Sequence, residues 1–217
     1  IMDVLKKNGI RGTVALNAAI CDHHPQIIEE ADKLNWEFMG HGVTNSSPLV
    51  NLPEDREREV IHSVVEKITA ATGKKPLGWL GPGLVETFNT PDILAEEGIE
   101  YLADWCCDDQ PYKLRVKKGS LYSIPYSNGV NDMPAFQTFH HTAREFCELI
   151  KDNFDVLYRE GETTGRVMPI ALHPFLSGVP YRIDWLDKAL QYIREHEKVW
   201  FATGSEIIDW FRKHPNE

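Results

Sequence analysis

Trp36-Glu-Phe-Met-Gly-His41, the stretch from Pro53 to Thr72, and Pro76-Leu-Gly-Trp-Leu80 follow one another with a change of period at each border. The first and last are short and apolar. Between them Val60, Ile61, Val64, Val65 and Ile68 recur at helical spacing, behind an acidic opening at Glu54-Asp55 and ahead of Gly73. The pattern predicts a strand, an amphipathic helix whose dipole favours the acidic first turn, and a second strand. A helix that carries the chain from one strand to the next allows the two strands to lie parallel.

The same rhythm extends both ways. Upstream, Gly12-Thr-Val-Ala-Leu-Asn17 reads as a buried strand and Pro25 to Leu34 as a helix with Ile27, Ile28, Ala31 and Leu34 on one face. Downstream, Thr90-Pro91-Asp92 reads as an N-cap with proline at the first helical position, Gly98 closes that helix, and Ile99 to Trp105 is a strand. Thr142-Ala-Arg-Glu145 is a capping box for a helix burying Phe146, Leu149, Ile150 and Leu157. A strand over Val167 to Leu172, a helix near Asp184 to Glu195, a strand over Val199 to Ala202 and a short helix capped by Ser205 complete the series. Tyr112 to Val116 and Leu121 to Pro125, joined by Lys117-Lys-Gly-Ser120, read as an exposed hairpin inserted into the alternation. About six core strands alternate with helices, without linker or repeat. That order predicts one α/β domain over 1–217, its parallel strands wrapped by helices and closed or nearly closed into a barrel.

Composition narrows the function. The chain has 217 residues with 23 Lys+Arg against 33 Asp+Glu, a net charge of −10. Without a basic run it lacks the footprint of a nucleic-acid binder, and no apolar stretch reaches the ~18 residues of a membrane span. Its four cysteines show no scaffold or zinc-finger spacing. A cytoplasmic enzyme is the expectation. At the start, Ile1, Val4 and Leu5 already form the stripe of a helix that ends at Lys6-Lys7 and Gly9. A helix with a stop and no start predicts a fragment with at least one element upstream.

In such folds chemistry gathers past the C-terminal ends of the strands. There stand His41, Asn45, Trp79, Asp104, Trp105, Asp108, Asp109, Asn131-Asp132 and His173. His173 ends the apolar run Met168-Pro-Ile-Ala-Leu172, where an idle imidazole costs desolvation, and is the leading general acid/base. His41 can reach a metal or a substrate oxygen. Asn45, four residues on, supplies only a neutral oxygen, a poor zinc ligand beside imidazole. Asp104, Asp108 and Asp109 lie within six positions and can share a proton, or one can cap the turn before Pro111. Trp79 and Trp105 offer a platform for a sugar or a flat ring, or sit in the core.

The series His41-Gly-Val-Thr-Asn-Ser46, Gly78-Trp-Leu-Gly-Pro-Gly83, Asp104-Trp105 with Asp108-Asp-Gln-Pro111, and Leu172-His-Pro174 with Gly178-Val-Pro-Tyr-Arg182 resembles the polysaccharide deacetylase (NodB-homology) superfamily. It is most similar to the branch of metal-independent allantoinases and peptidoglycan-deacetylase-like proteins. The resemblance runs from Ile1 to about Phe211. It implies a distorted (β/α) barrel of about seven strands and hydrolysis of a non-peptide carbon–nitrogen bond. By resemblance His41 is the first histidine of an H-x-x-x-H metal motif whose second position is Asn45. Leu80 replaces an arginine that steadies the catalytic carboxylate, Asp104-Trp105 wall the groove, and His173 is the general acid on the leaving nitrogen. The family's Thr-Phe-Asp-Asp motif belongs to a first strand upstream of Ile1, so the barrel is expected to lack that strand here. Three readings stand. The first is an allantoinase-like amide hydrolase in which His173 acts with an upstream carboxylate or Asp108/Asp109. The second is a zinc-dependent N-deacetylase of peptidoglycan or chito-oligosaccharide, its metal on His41 and Asn45. The third is a carbohydrate-binding pseudoenzyme. The partner is a small-molecule or glycan amide, and the hairpin over 112–125 is the expected contact of a homo-oligomer.

Overall fold

The computed structural model describes residues 1–214. In chain order the elements are α1 (Met2–Lys7), β1 (Thr13–Leu16), α2 (Ala18–His23), α3 (Pro25–Lys33), β2 (Glu37–Gly40), α4 (Glu54–Thr72), β3 (Gly78–Trp79), α5 (Thr90–Glu96), β4 (Tyr101–Leu102), β5 (Tyr112–Leu114), β6 (Leu121–Ser123), α6 (Ala143–Glu160), α7 (Pro174–Ser177), α8 (Pro180–Arg194) and α9 (Gly204–Lys213). A 3₁₀ turn over Pro82–Leu84 and a π-helical turn over Pro134–Thr138 sit in the loops after β3 and β6. The six strands form one sheet in the order β1-β2-β3-β4-β6-β5. All its pairings are parallel except β5 against β6.

The helix that decided the reading, α4, buries Ile61, Val64, Val65 and Ile68 and ends on Gly73 at φ +71°. That left-handed conformation is one glycine adopts without a Cβ penalty. Alternation along the strands separates two layers. Phe38, Trp79, Leu102 and Leu121 face one core together with Ile61 and Ile68 of α4 and Ile93 of α5. Met39, Leu80, Tyr101, Ala103 and Ile124 face the other side, where Ile208 of α9 covers them. A third core joins α6 to α8 through Phe146, Ile150, Leu186 and Leu190. Thr142 caps α6 as expected: its Oγ1 accepts from Glu145 N at 3.2 Å and Glu145 Oε2 accepts from Thr142 N at 2.7 Å.

Several expectations are corrected. The segment 112–125 is no exposed appendage, because β6 lies parallel to β4 within the sheet and Leu121 and Ser123 are fully buried. Its strand β5 forms the outer edge. The run 167–172 makes one parallel bridge, Asn131 to Ala171, in place of a strand; Pro169 removes a ladder donor from its middle. Val199 to Ala202 forms no strand, although Val199 and Phe201 pack on the α6–α8 core. Among the described residues the sheet is therefore open, with six strands. The final helix is capped by Thr203, whose N–H donates to Glu206 Oε2 at 3.0 Å. Ser205 N instead donates to Glu37 Oε2 at 2.9 Å. Thr90 is not a cap either, since its hydroxyl is drawn to the buried carboxylate of Glu57.

Candidate active site

Five strand or bridge positions deliver their next residues to one rim: β2 leads to His41, β3 to Leu80 and Gly81, β4 to Asp104, β6 to Tyr126, and the Asn131–Ala171 bridge to Asp132 and His173.

The centre of the site is the pair Asp132–His173. Asp132 is fully buried, and each of its oxygens is engaged. Oδ1 lies 2.6 Å from His173 Nδ1, and Oδ2 accepts from His173 N at 2.7 Å and from Ser177 Oγ at 2.6 Å. The carboxylate can only accept there, so His173 carries its proton on Nδ1 towards Asp132 and turns Nε2 outward. The short helix α7 makes this possible: Pro174 stands at its first position and Ser177 returns to Asp132 one turn later. Asp132 stood among the strand-end residues of the sequence without a role. The available signal was chemical: a strand-end histidine needs an acceptor for Nδ1, and Asp132 is the carboxylate beside its bridge.

His41 is fixed in the same manner, its Nδ1 donating to the Leu80 carbonyl at 2.6 Å. Burial pushes its pKa down and the neighbouring His173 pushes it further, so the ring is neutral near pH 7 with Nε2 as an acceptor.

The remaining candidates separate. Asp104 Oδ1 accepts from Gly81 N at 2.6 Å, and burial lifts its carboxyl to about 8. Burial likewise lifts Glu86 to about 7, with the Trp105 indole against it. Nothing in the sequence marks Glu86, which lies 18 positions from Asp104. Trp105 is 42 % exposed at the rim. Trp79 is corrected: its side chain is 0 % exposed, faces the α4 core and packs across Gly40, leaving no surface for a substrate. Asn45 is exposed in a loop tied by Thr44 Oγ1 to Ser47 Oγ at 3.1 Å. Asp108 and Asp109 are exposed and line a cavity of about 310 Å³ with Cys106, Tyr126, Asn153 and Pro169. Asp108 Oδ1 accepts from Gln110 N at 3.1 Å, the turn cap that precedes Pro111. The carboxylate on His173 is Asp132 and neither of these two. Tyr126 adjoins both regions; burial raises its hydroxyl to about 12, with smaller contributions from Cys106, Asp132 and Asp104.

The polysaccharide deacetylase family profile matches residues 1–102. A solved structure of a probable polysaccharide deacetylase from Pseudomonas aeruginosa PAO1 is 32 % identical and superposes with a TM-score of 0.91, covering 100 % of this chain and 73 % of its own. The chain belongs to the polysaccharide deacetylase family. A solved Puue allantoinase is similar at 31 % identity and a TM-score of 0.89, covering 100 % of this chain and 72 % of its own. A peptidoglycan deacetylase of Helicobacter pylori is 25 % identical over 209 residues, 82 % of this chain and 70 % of its own length. Members of this family are hydrolases of carbon–nitrogen bonds, and the chain is an amide hydrolase of that family.

Deacetylases of the family commonly use a divalent metal ion. Among the described residues no three of His, Cys, Asp and Glu come together to hold one. His41 offers one ring nitrogen, and the neutral oxygen of exposed Asn45 adds little for zinc. The donor set described does not fit a tight zinc centre, and no step below is routed through one. Among the described residues no helix is long and apolar enough to cross a membrane.

Proposed function

We propose that the chain hydrolyses a small cyclic or linear amide, in the manner of an allantoinase, with His173 as general acid. The observation that carries this reading is the buried Asp132 carboxylate, which commits His173 Nδ1 and leaves Nε2 to serve the substrate. Water adds its oxygen to the amide carbonyl carbon, the C–N bond breaks, and the departing nitrogen takes the second proton of a doubly protonated His173 from Nε2, while the Nδ1–H stays on Asp132. Asp109, which lines the cavity beside Tyr126, is the proposed acceptor of the proton that water loses, with Asp108 holding the turn. His41 Nε2 accepts from a substrate N–H, a group that cyclic ureides present in number. Asp104 and Trp105 wall the same rim, and Asn45 meets the substrate from the loop after His41.

A positioned acid contributes about 10²–10⁴-fold to rate. Turnover of allantoin should therefore fall by about that factor in His173→Ala. Unimpaired turnover by the variant would remove His173 from the chemistry. The likeness to a peptidoglycan deacetylase favours a second reading, N-deacetylation of a glycan. Acetate release from N-acetylated chito-oligosaccharide that is lost on chelation and restored by one equivalent of zinc would establish it instead.

A further inference from the structure

Of the four residues of α7, Leu176 and Ser177 are buried, while Pro174 and Phe175 are exposed. The turn has little freedom. Pro174 fixes its first φ. Leu176 N and Ser177 N donate to the His173 carbonyl at 2.9 and 3.0 Å, and Ser177 Oγ donates to the buried Asp132 carboxylate at 2.6 Å. Arg182 secures it from α8. One guanidinium nitrogen donates to the Leu176 carbonyl at 3.2 Å, and the guanidinium carbon lies 3.9 Å from the centre of the Phe136 ring. A turn held at so many points fixes where its outward side chain stands. That side chain is Phe175, 62 % exposed, its ring centre 5.9 Å from that of the His173 imidazole and the two planes 66° apart. Such an edge-to-face pair is a favourable aromatic geometry.

Large apolar side chains are scattered singly over most protein surfaces, and exposure alone gives Phe175 no role. Its place gives it one. In the proposed reaction His173 protonates the departing nitrogen, so a ring packed on that imidazole stands beside the part of the substrate that carries this nitrogen. A phenyl ring has no hydrogen bond to offer. What it presents is an apolar face and a quadrupole, which suit a flat conjugated ring. In a cyclic ureide the leaving nitrogen is itself a member of such a ring. We propose that Phe175 is a specificity-determining residue, receiving the planar ring of the substrate on the side of the leaving nitrogen, next to His173. The assignment rests on the hydrolase reading for which nitrogen leaves, whereas the contact between Phe175 and His173 stands without it.

The probe is hydantoin, a planar five-membered cyclic ureide, titrated calorimetrically into the full chain. Phe175→Ala should weaken its binding about tenfold, and Phe175→Tyr, which keeps the aromatic face, should restore it. The imidazole protons of His173 should shift in the alanine variant through loss of the ring current, with the rest of the spectrum in place to show that the fold is kept. Turnover of allantoin by Phe175→Ala should show a KM raised about tenfold, the loss falling on KM more than on kcat. Equal affinity of Phe175→Ala and the unaltered chain for hydantoin, or no binding by either, would overturn the inference. So would a change of oligomeric mass in Phe175→Ala at unchanged affinity, which would assign the ring to contact between copies of the chain. Calorimetry needs no turnover: affinity lost in Phe175→Ala by a chain that leaves allantoin intact would keep the ring site and reject the hydrolase reading.

Discussion

Asp132 accepts three hydrogen bonds from Ser177 and His173, so neither it nor the imidazole can turn without breaking a buried contact. An asparagine of the same size would offer an NH₂ to one of these donors and leave it unpaired. We expect Asp132→Asn to keep the fold and to lower kcat by about 10²–10⁴-fold, because His173 loses the acceptor that sets its tautomer. Matched circular dichroism with near-normal turnover would show that the imidazole needs no such partner. A second single-residue effect lies at Gly40, where an added Cβ would stand 2.5 Å from the Trp79 ring. Overpacking of this kind typically costs about 1–3 kcal/mol. Gly40→Ala should lower the urea midpoint accordingly, and an unchanged midpoint would show that the ring can retreat. The same contact explains why Trp79 misled: a tryptophan past an apolar run looks alike in sequence whether it points to a ligand or to a helix.

Helix ends were the most legible elements, because their signals are local. Thr142 and Glu145 form the capping box their spacing predicts, and Gly73 ends α4 in the left-handed conformation. Replacing Thr142 by alanine strands an N–H of the first turn and should cost about 1 kcal/mol, read as a shift in chemical denaturation. A loss far below this would mean that the α6–α8 packing alone holds the turn. Strand pairing was less legible. The 112–125 hairpin looked exposed, with Lys113 and Arg115 on one arm and Lys117 and Lys118 in its turn, yet its second arm pairs with β4 and buries Leu121. Thr90 and Ser205 looked like caps, but the buried carboxylate of Glu57 took the hydroxyl of one and the half-buried carboxylate of Glu37 took the backbone N–H of the other. Local propensity lost in both places to a charge that had to be satisfied.

For the molecule as a whole, the raised carboxyls have a consequence for stability. In the unfolded chain Asp104 and Glu86 release their protons at ordinary values of 3.8 and 4.5, whereas the folded chain keeps them to about 8 and about 7. Between these limits the folded state binds more protons, so their contribution is full in acid and is lost as pH rises through 7 to 8. The urea midpoint should fall from pH 5 to pH 9, and the double variant Glu86→Gln, Asp104→Asn should fall less. Equal declines would place the loss elsewhere. The sequence by itself determined the alternation of strands and helices, the parallel order it imposes, and the strand-end histidines, because these depend on period, on caps and on position in the chain. Only the tertiary structure decided that Asp132 is the partner of His173, that Asp104 takes the N–H of Gly81, and that Trp79 belongs to the core. Those assignments join residues 23 to 41 positions apart, and which groups meet across such distances is settled by sheet order, twist and burial together, quantities that no local pattern carries.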